Sequence, residues 1–220
     1  MFRIQKILVP VDFSASSKKA VYYGISLALE FNARLVLAHI LMASPYWARI
    51  RSANLTAFDR QEYDEAKSRL SKLIPPECRE DLNSEIIVKA GDVRQELFGI
   101  VEDRDIDLVI MGSHGRSYFG RLLLGSVTER MLRKLHVPVL TVSHLSPEKE
   151  IHGPEPVPLR RILYATDLSE GSDKGLNLQE KGRIERVVLG TTAERVIRTS
   201  PVPVLSLPLP TTYESRWAAA

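Results

Sequence analysis

The chain has 220 residues, 44% hydrophobic and 26% charged, an ordinary globular composition that excludes a disordered, collagen-like or disulfide-stapled chain. A net charge of +3, with acids and bases interspersed, supplies no basic face for nucleic acid. No apolar run approaches the roughly 20 residues that cross a bilayer. The single cysteine, Cys78, excludes an intrachain disulfide, and Met1 to Phe13 has no apolar leader core, so the expected compartment is the cytoplasm.

In chain order, Lys6 to Val11 is a continuous β-branched run and predicts a strand buried on both faces, as in a parallel sheet. Asp12 to Ser17 offers helix caps, and Val21, Ile25, Ala28 and Phe31 mark the inward face of the helix that follows, closed at Asn32-Ala33. Arg34 to Leu41 predicts a second strand, Ala43 to Ala53 a loop, and about Thr56 to Leu73 a helix stopped by Pro75-Pro76. Ser84 to Lys89 is a third strand. A short helix after Gly91-Asp92 carries Val93, Leu97, Ile100 and Val101, and Ile106 to Met111 is a fourth strand. A loop from Gly112 leads to a helix over about Gly125 to Leu135, with Val127, Met131 and Leu135 inward, and Val137 to Val142 is the fifth strand. Five strands joined by helical crossovers predict an α/β fold: an open, doubly wound parallel five-stranded sheet, order 3-2-1-4-5, with helices on both faces.

The rest of the chain repeats part of this. Ile162 to Ser169 matches Ile7 to Ser14 at an offset of 155 residues (162 less 7). Leu189 to Val196 matches Leu124 to Met131, and Val202-Pro203-Val204-Leu205 repeats Val137-Pro138-Val139-Leu140, both at an offset of 65 (189 less 124, 202 less 137). The expected organisation is a first domain over 1–144, a Pro-rich linker over 145–158, a truncated second copy over 159–207 lacking roughly 90 middle residues (155 less 65), and a tail over 208–220. So short a copy makes a poor core by itself. Val202 to Leu207 alone would be an open edge, so it is expected to pair with Val137 to Val142, within the chain or between two chains.

Gly112-Ser113-His114-Gly115, then nine residues, then Gly125-Ser126 follows a parallel strand and opens a helix. Glycines let backbone N–H groups approach a phosphate, and the helix N-terminus adds its dipole. Ser126 and Thr128 can donate to phosphate oxygens or enter a magnesium shell, and His114 and Arg116 can reach a polyphosphate. The spacing is neither a GxGxxG fingerprint nor a P-loop. Asp12 ends the first strand, and strands 1 and 4 flank the switch point where such folds bind ligands, so its carboxylate can accept from ribose hydroxyls or cap the helix.

With Ile7 to Ser14, Asp107 to Arg116, Leu124-Gly125-Ser126 and His136 to Leu140, residues 1–144, and in pieces 159–207, resemble the universal stress protein family. Residues 112–126 satisfy the G-x2-G-x9-G-[S/T] pattern of its nucleotide-binding members. The resemblance implies ATP or another adenine nucleotide, with Val11, Asp12 and the strand end near Ile40 at adenine and ribose, and Gly112, Gly115, Gly125, Ser126 and Val127 at the phosphates. The candidate nucleotide-binding set is Pro10, Val11, Asp12, Ile40, Met111, Gly112, Ser113, His114, Gly115, Arg116, Gly125, Ser126, Val127 and Thr128. Magnesium, if bound, would ride on the phosphates and Ser126. The resemblance also implies a homodimer or an intrachain pseudo-dimer through the last strands. In the second copy Asn177 and Glu180 stand where Gly112 and Gly115 would, so it is expected to bind no nucleotide and to serve as a docking partner.

Three functions are compatible with these residues: a nucleotide-binding stress or regulatory protein, a slow ATPase or phosphotransferase, and a dimeric adaptor with an empty site. The sequence offers no convincing general base or Arg–Lys clamp, so no catalytic residue is assigned and the first is preferred. His39 reads as structural and Cys78 has no assigned role.

Overall fold

The computed structural model describes residues 4–42, 57–113, 124–143 and 191–207. Its elements are β1 (Lys6–Pro10), α1 (Ala15–Phe31), β2 (Arg34–Met42), α2 (Ala57–Ser71), a 3-10 turn (Pro76–Cys78), β3 (Ser84–Gly91), α3 (Val93–Asp103), β4 (Leu108–Gly112), α4 (Ser126–Lys134), β5 (Val139–Val142), α5 (Thr191–Thr199) and β6 (Val204–Ser206). They build one sheet in the order β3-β2-β1-β4-β5-β6. The pairs among β1 to β5 are parallel, and β6 runs antiparallel to β5.

The alternation of side chains along the strands splits the core into two layers. Ile7, Val9, Leu35 and Leu37 pack with Val21 and Ile25 of α1 and Ala66 and Leu70 of α2. Leu8, Val36, Ala38 and Ile40 pack with Leu97, Ile100 and Val101 of α3 and Met131 of α4. Burying both faces of the sheet requires the unbroken apolar runs that the sequence shows. α1 lies so close to β1 that a Cβ on Gly24 would come within 2.6 Å of Val9 Cγ2.

The expectation of five strands is corrected to six. β5 has four residues, and its outer edge is occupied by β6 of the same chain, with Val139 opposite Ser206, Leu140 opposite Leu205 and Thr141 opposite Val204. Unpaired N–H and C=O groups along a strand edge make such a cover favourable. β5 starts at Val139 rather than Val137 because Pro138 has no N–H; its carbonyl accepts from Val109 N at 3.0 Å. β4 starts at Leu108 rather than Ile106: the Asp107 carboxylate instead accepts from the backbone N–H of Gln5 and Lys6, at 2.8 and 2.9 Å, tying it to the start of β1. Phe31, read as inward, is 44% exposed, because the buried stripe of α1 ends at Ala28 and Asn32 turns the chain in a left-handed cap, φ 50°. Val127 is only half-buried, and Thr128 takes the inward position beside it. Cys78 is fully buried in the first core layer, where burial, aided by the nearby acids Glu77 and Asp81, pushes its thiol pKa up and leaves it inert.

The reading of 43–53 as a loop, the linker at 145–158, residues 159–190 of the second copy and the tail at 208–220 lie outside the described residues.

Candidate functional site

The strand registers carry the site. Pro10 of β1 lies opposite Ala38 of β2, and continuing that register sets Asp12 level with Ile40. Leu8 opposite Val109 likewise sets Asp12 level with Ser113, just past β4, and Gly112 lies opposite Val142. The carboxyl ends of β1, β2, β4 and β5 therefore share one edge. α1 leaves β1 on one face of the sheet and α4 leaves β4 on the other, so both helix N-termini open onto this edge.

At the end of β1 the chain turns sharply. Val11 N donates to Ala38 O at 2.8 Å, and the next turn is made by Phe13 with φ 65°, a conformation costly for an aromatic residue. Two contacts hold it there. The Phe13 ring lies 4.7 Å from the buried His39 ring, and the Arg69 guanidinium of α2 sits 3.8 Å over its face. His39 Nδ1 is 2.6 Å from Val11 O; a carbonyl only accepts, so Nδ1 carries the proton and His39 braces the end of β1. Asp12 does not cap α1. That role falls to Ser14, whose Oγ accepts from Ser17 N, while Asp12 Oδ1 accepts from Ser14 N at 3.0 Å and from Ser14 Oγ at 2.6 Å, fixing the carboxylate.

At the end of β4 the backbone must pass close to α1. A Cβ on Gly112 would lie 2.6 Å from Ser16 Oγ, 2.9 Å from Ser16 Cβ and 3.0 Å from the Ser16 backbone carbon. Gly112 O accepts from the buried Thr128 hydroxyl at 2.8 Å, Gly125 N donates to Ser113 O at 2.8 Å, and Ser113 N donates to Val142 O at 2.9 Å. These bonds tie Ser113 and Gly125 together at the end of β4.

The start of α4 differs from those of α1 and α3. Ser14 caps α1 and Asp92 caps α3, but Gly125 at the N-cap of α4 has no side chain to offer. The first intrahelical bond is Glu129 N to Gly125 O at 2.8 Å, so the N–H groups of Ser126, Val127 and Thr128 have no acceptor within the helix. N–H groups, hydroxyls and a helix dipole form an anion-binding set. Among the described residues no group of three or more His, Cys, Asp or Glu could hold a metal ion.

A family model described as the universal stress protein family matches residues 3–143. The chain belongs to the universal stress protein family. It is 30% identical over 149 residues to universal stress protein MJ0531 of Methanocaldococcus jannaschii, an alignment covering 66% of this chain and 85% of the relative. The solved structure of MJ0577, a universal stress protein of the same organism, is 28% identical with a TM-score of 0.54, covering 65% of this chain and 98% of that one. A universal stress protein structure from Archaeoglobus fulgidus shares the fold over 80% of this chain and 60% of its own, with a TM-score of 0.56 and 23% identity.

In this universal stress protein the strand ends bring together Pro10, Val11, Asp12, Ile40, Met111, Gly112, Ser113, Gly125, Ser126, Val127 and Thr128 on one edge. Not all face outward: Val11, Ile40, Met111, Ser113 and Thr128 are buried, so only their backbone or a hydroxyl edge can serve a ligand. His114, Gly115 and Arg116 lie outside the described residues. Sequence reasoning missed the brace of Phe13, His39 and Arg69. Arg69 is 56 residues from Phe13 (69 less 13), and no local pattern marks it. An open groove of about 860 Å³ runs along the polar face of α2 and reaches the brace through Arg69, but Asp64 and Glu65 interrupt its cations and suit it poorly to an anion.

Proposed function

We propose that this universal stress protein binds one adenine nucleotide, ATP in the first instance, at the shared carboxyl edge of β1, β2 and β4, as a regulatory ligand. The observation that carries this is the N-terminus of α4: it lacks a side-chain cap, and Ser113 O and the Thr128 hydroxyl fix it at the end of β4. The phosphates sit on the N–H groups of Ser126, Val127 and Thr128 with the Ser126 hydroxyl, and the glycine pattern at 112, 115 and 125 supplies the remaining backbone. The Asp12 carboxylate, held by Ser14, accepts from the ribose hydroxyls, and the backbone near Val11 and Ile40 borders the base. The donor set suits an anion, so magnesium enters only on the phosphates. Residues 1–144 form the binding unit, and residues 159–207 form a second, truncated copy without a site of its own. With Cys78 buried and unpaired in a disulfide, we assign the protein to the cytoplasm.

The test is calorimetric titration of the purified chain with ATP and magnesium, after mass spectrometry has checked for nucleotide carried through purification. Binding at one site per chain, lost in Gly125→Val, is the expected result. Unchanged affinity in Gly125→Val would move the site elsewhere, and the absence of both binding and carry-over would make the protein an adaptor.

A further inference from the structure

The backbone that carries Asp12 is pinned on both sides. Before it, Val11 N donates to Ala38 O at 2.8 Å, and Val11 O accepts from His39 Nδ1 at 2.6 Å. After it, Phe13 adopts φ 65°. Among the described residues three non-glycine residues have positive φ, and the other two, Asn32 and Asp105, are of types that tolerate it; Phe13 is not, so its surroundings must impose the turn. The Phe13 ring meets two side chains from elsewhere in the fold: His39 of β2, with ring centroids 4.7 Å apart, and Arg69 of α2, whose guanidinium stands 3.8 Å over the ring. His39 thus touches both flanks of Asp12, and Arg69 adds the contact from the far side of the chain.

The three side chains are not equally placed. His39 is buried and Phe13 half-buried, whereas Arg69 is exposed on the polar face of α2. An exposed arginine adds little to the core, and what Arg69 supplies is a cation over the ring of the strained residue. Ser14 follows directly, and its N and Oγ donate to Asp12 Oδ1 at 3.0 and 2.6 Å. A change in the Phe13 turn therefore moves the Asp12 carboxylate together with its two donors.

We infer that Arg69 is a positioning residue for the nucleotide: through Phe13 and His39 it fixes the Asp12 carboxylate where it accepts from the ribose hydroxyls, and so sets the preference for a ribonucleotide over one lacking those hydroxyls. This rests on the assignment of the ribose to Asp12 under Proposed function. Arg69 acts through the turn, whereas the phosphate donors belong to the start of α4, which is anchored separately through Ser113 O and the Thr128 hydroxyl.

The experiment titrates the full chain, with magnesium, with ATP and with 2′,3′-dideoxy-ATP, and reads the ratio of the two affinities. A hydrogen bond to a charged group is worth roughly tenfold or more, so wild type should prefer ATP by at least about tenfold. Arg69→Gln should reduce that preference to within about threefold by weakening ATP, with dideoxy-ATP nearly unaffected. Lys72→Gln removes the same charge from the same groove of α2 and should keep the wild-type ratio. Phe13→Gly adopts φ 65° without strain, so in that background Arg69→Gln should no longer change the ratio. A general loss of fold, or a charge acting directly on the phosphates, would weaken both nucleotides alike. A wild-type preference for ATP that survives Arg69→Gln would overturn this inference alone, as would an Arg69→Gln effect of equal size with and without Phe13. A wild-type chain that binds ATP and dideoxy-ATP equally would remove Asp12 from the ribose, and one that binds neither would overturn the nucleotide site itself; either result ends the inference.

Discussion

Replacing Gly112 by alanine tests the packing on which the candidate site rests. The added Cβ would meet Ser16 Oγ at 2.6 Å, Ser16 Cβ at 2.9 Å and the Ser16 backbone carbon at 3.0 Å. A rotamer change can move the hydroxyl but not the other two atoms, so the end of β4 and the first turn of α1 must separate by a few tenths of an ångström. Overpacking of this kind costs about 1–3 kcal/mol, which in a protein of this size lowers Tm by roughly 2–12 °C. Gly99 in α3 is the control, since a Cβ there meets nothing within 4 Å. Gly99→Ala should stabilise by about 0.5–1 kcal/mol through helix propensity. Thermal unfolding of the two variants measures both effects, and titration with ATP should show affinity reduced several-fold in Gly112→Ala and unchanged in Gly99→Ala. A Gly112→Ala protein that melts and binds like wild type, beside a Gly99→Ala protein that behaves as expected, would refute the close approach of β4 to α1.

Thr128→Val keeps the shape of the side chain but strips Gly112 O of the bond from the buried Thr128 hydroxyl; a loss of about 1–3 kcal/mol in denaturant unfolding is expected, with Thr128→Ser near wild type. Arg69→Gln removes the cation over Phe13, and the strained Phe13 turn should loosen, read as faster hydrogen exchange at Ser14 and Ala15; unchanged exchange would reduce the Arg69 contact to a surface stack. Asp92 caps α3, and bonds from the Arg94 side chain, then from Gln95 N, hold its carboxyl below the usual carboxylate range. A depressed folded-state pKa contributes stability above the unfolded value of about 3.9 that is lost as the pH falls through the folded one. In Asp92→Asn, which keeps a capping oxygen, the acid side of the stability–pH curve should flatten; an unchanged curve would show that the cap does not depend on its charge.

The sequence determined the strands and helices of residues 6–142 because each is written in local chemistry. Both-face burial requires the unbroken runs Ile7-Leu8-Val9 and Leu35 to Ala38, and Ser14, Asn32 and Asp92 stop or start helices through bonds to their immediate neighbours. The spacing of Gly112, Gly115 and Gly125 also singled out the end of β4, since a glycine pattern is a statement about backbone and needs no partner to be read. What only the tertiary structure decided depends on residues far apart in the chain. Asp12 yields the helix cap to Ser14, Gly112 is glycine because Ser16 presses on it, and Arg69 crosses from α2 to hold a strained Phe13. The repeat named Val202 to Leu207 as a strand for Val137 to Val142, but not whether it would fold back. The antiparallel register with Leu140 opposite Leu205 within one chain decided that, because hydrogen bonds along a sheet edge are satisfied by whichever strand can reach it.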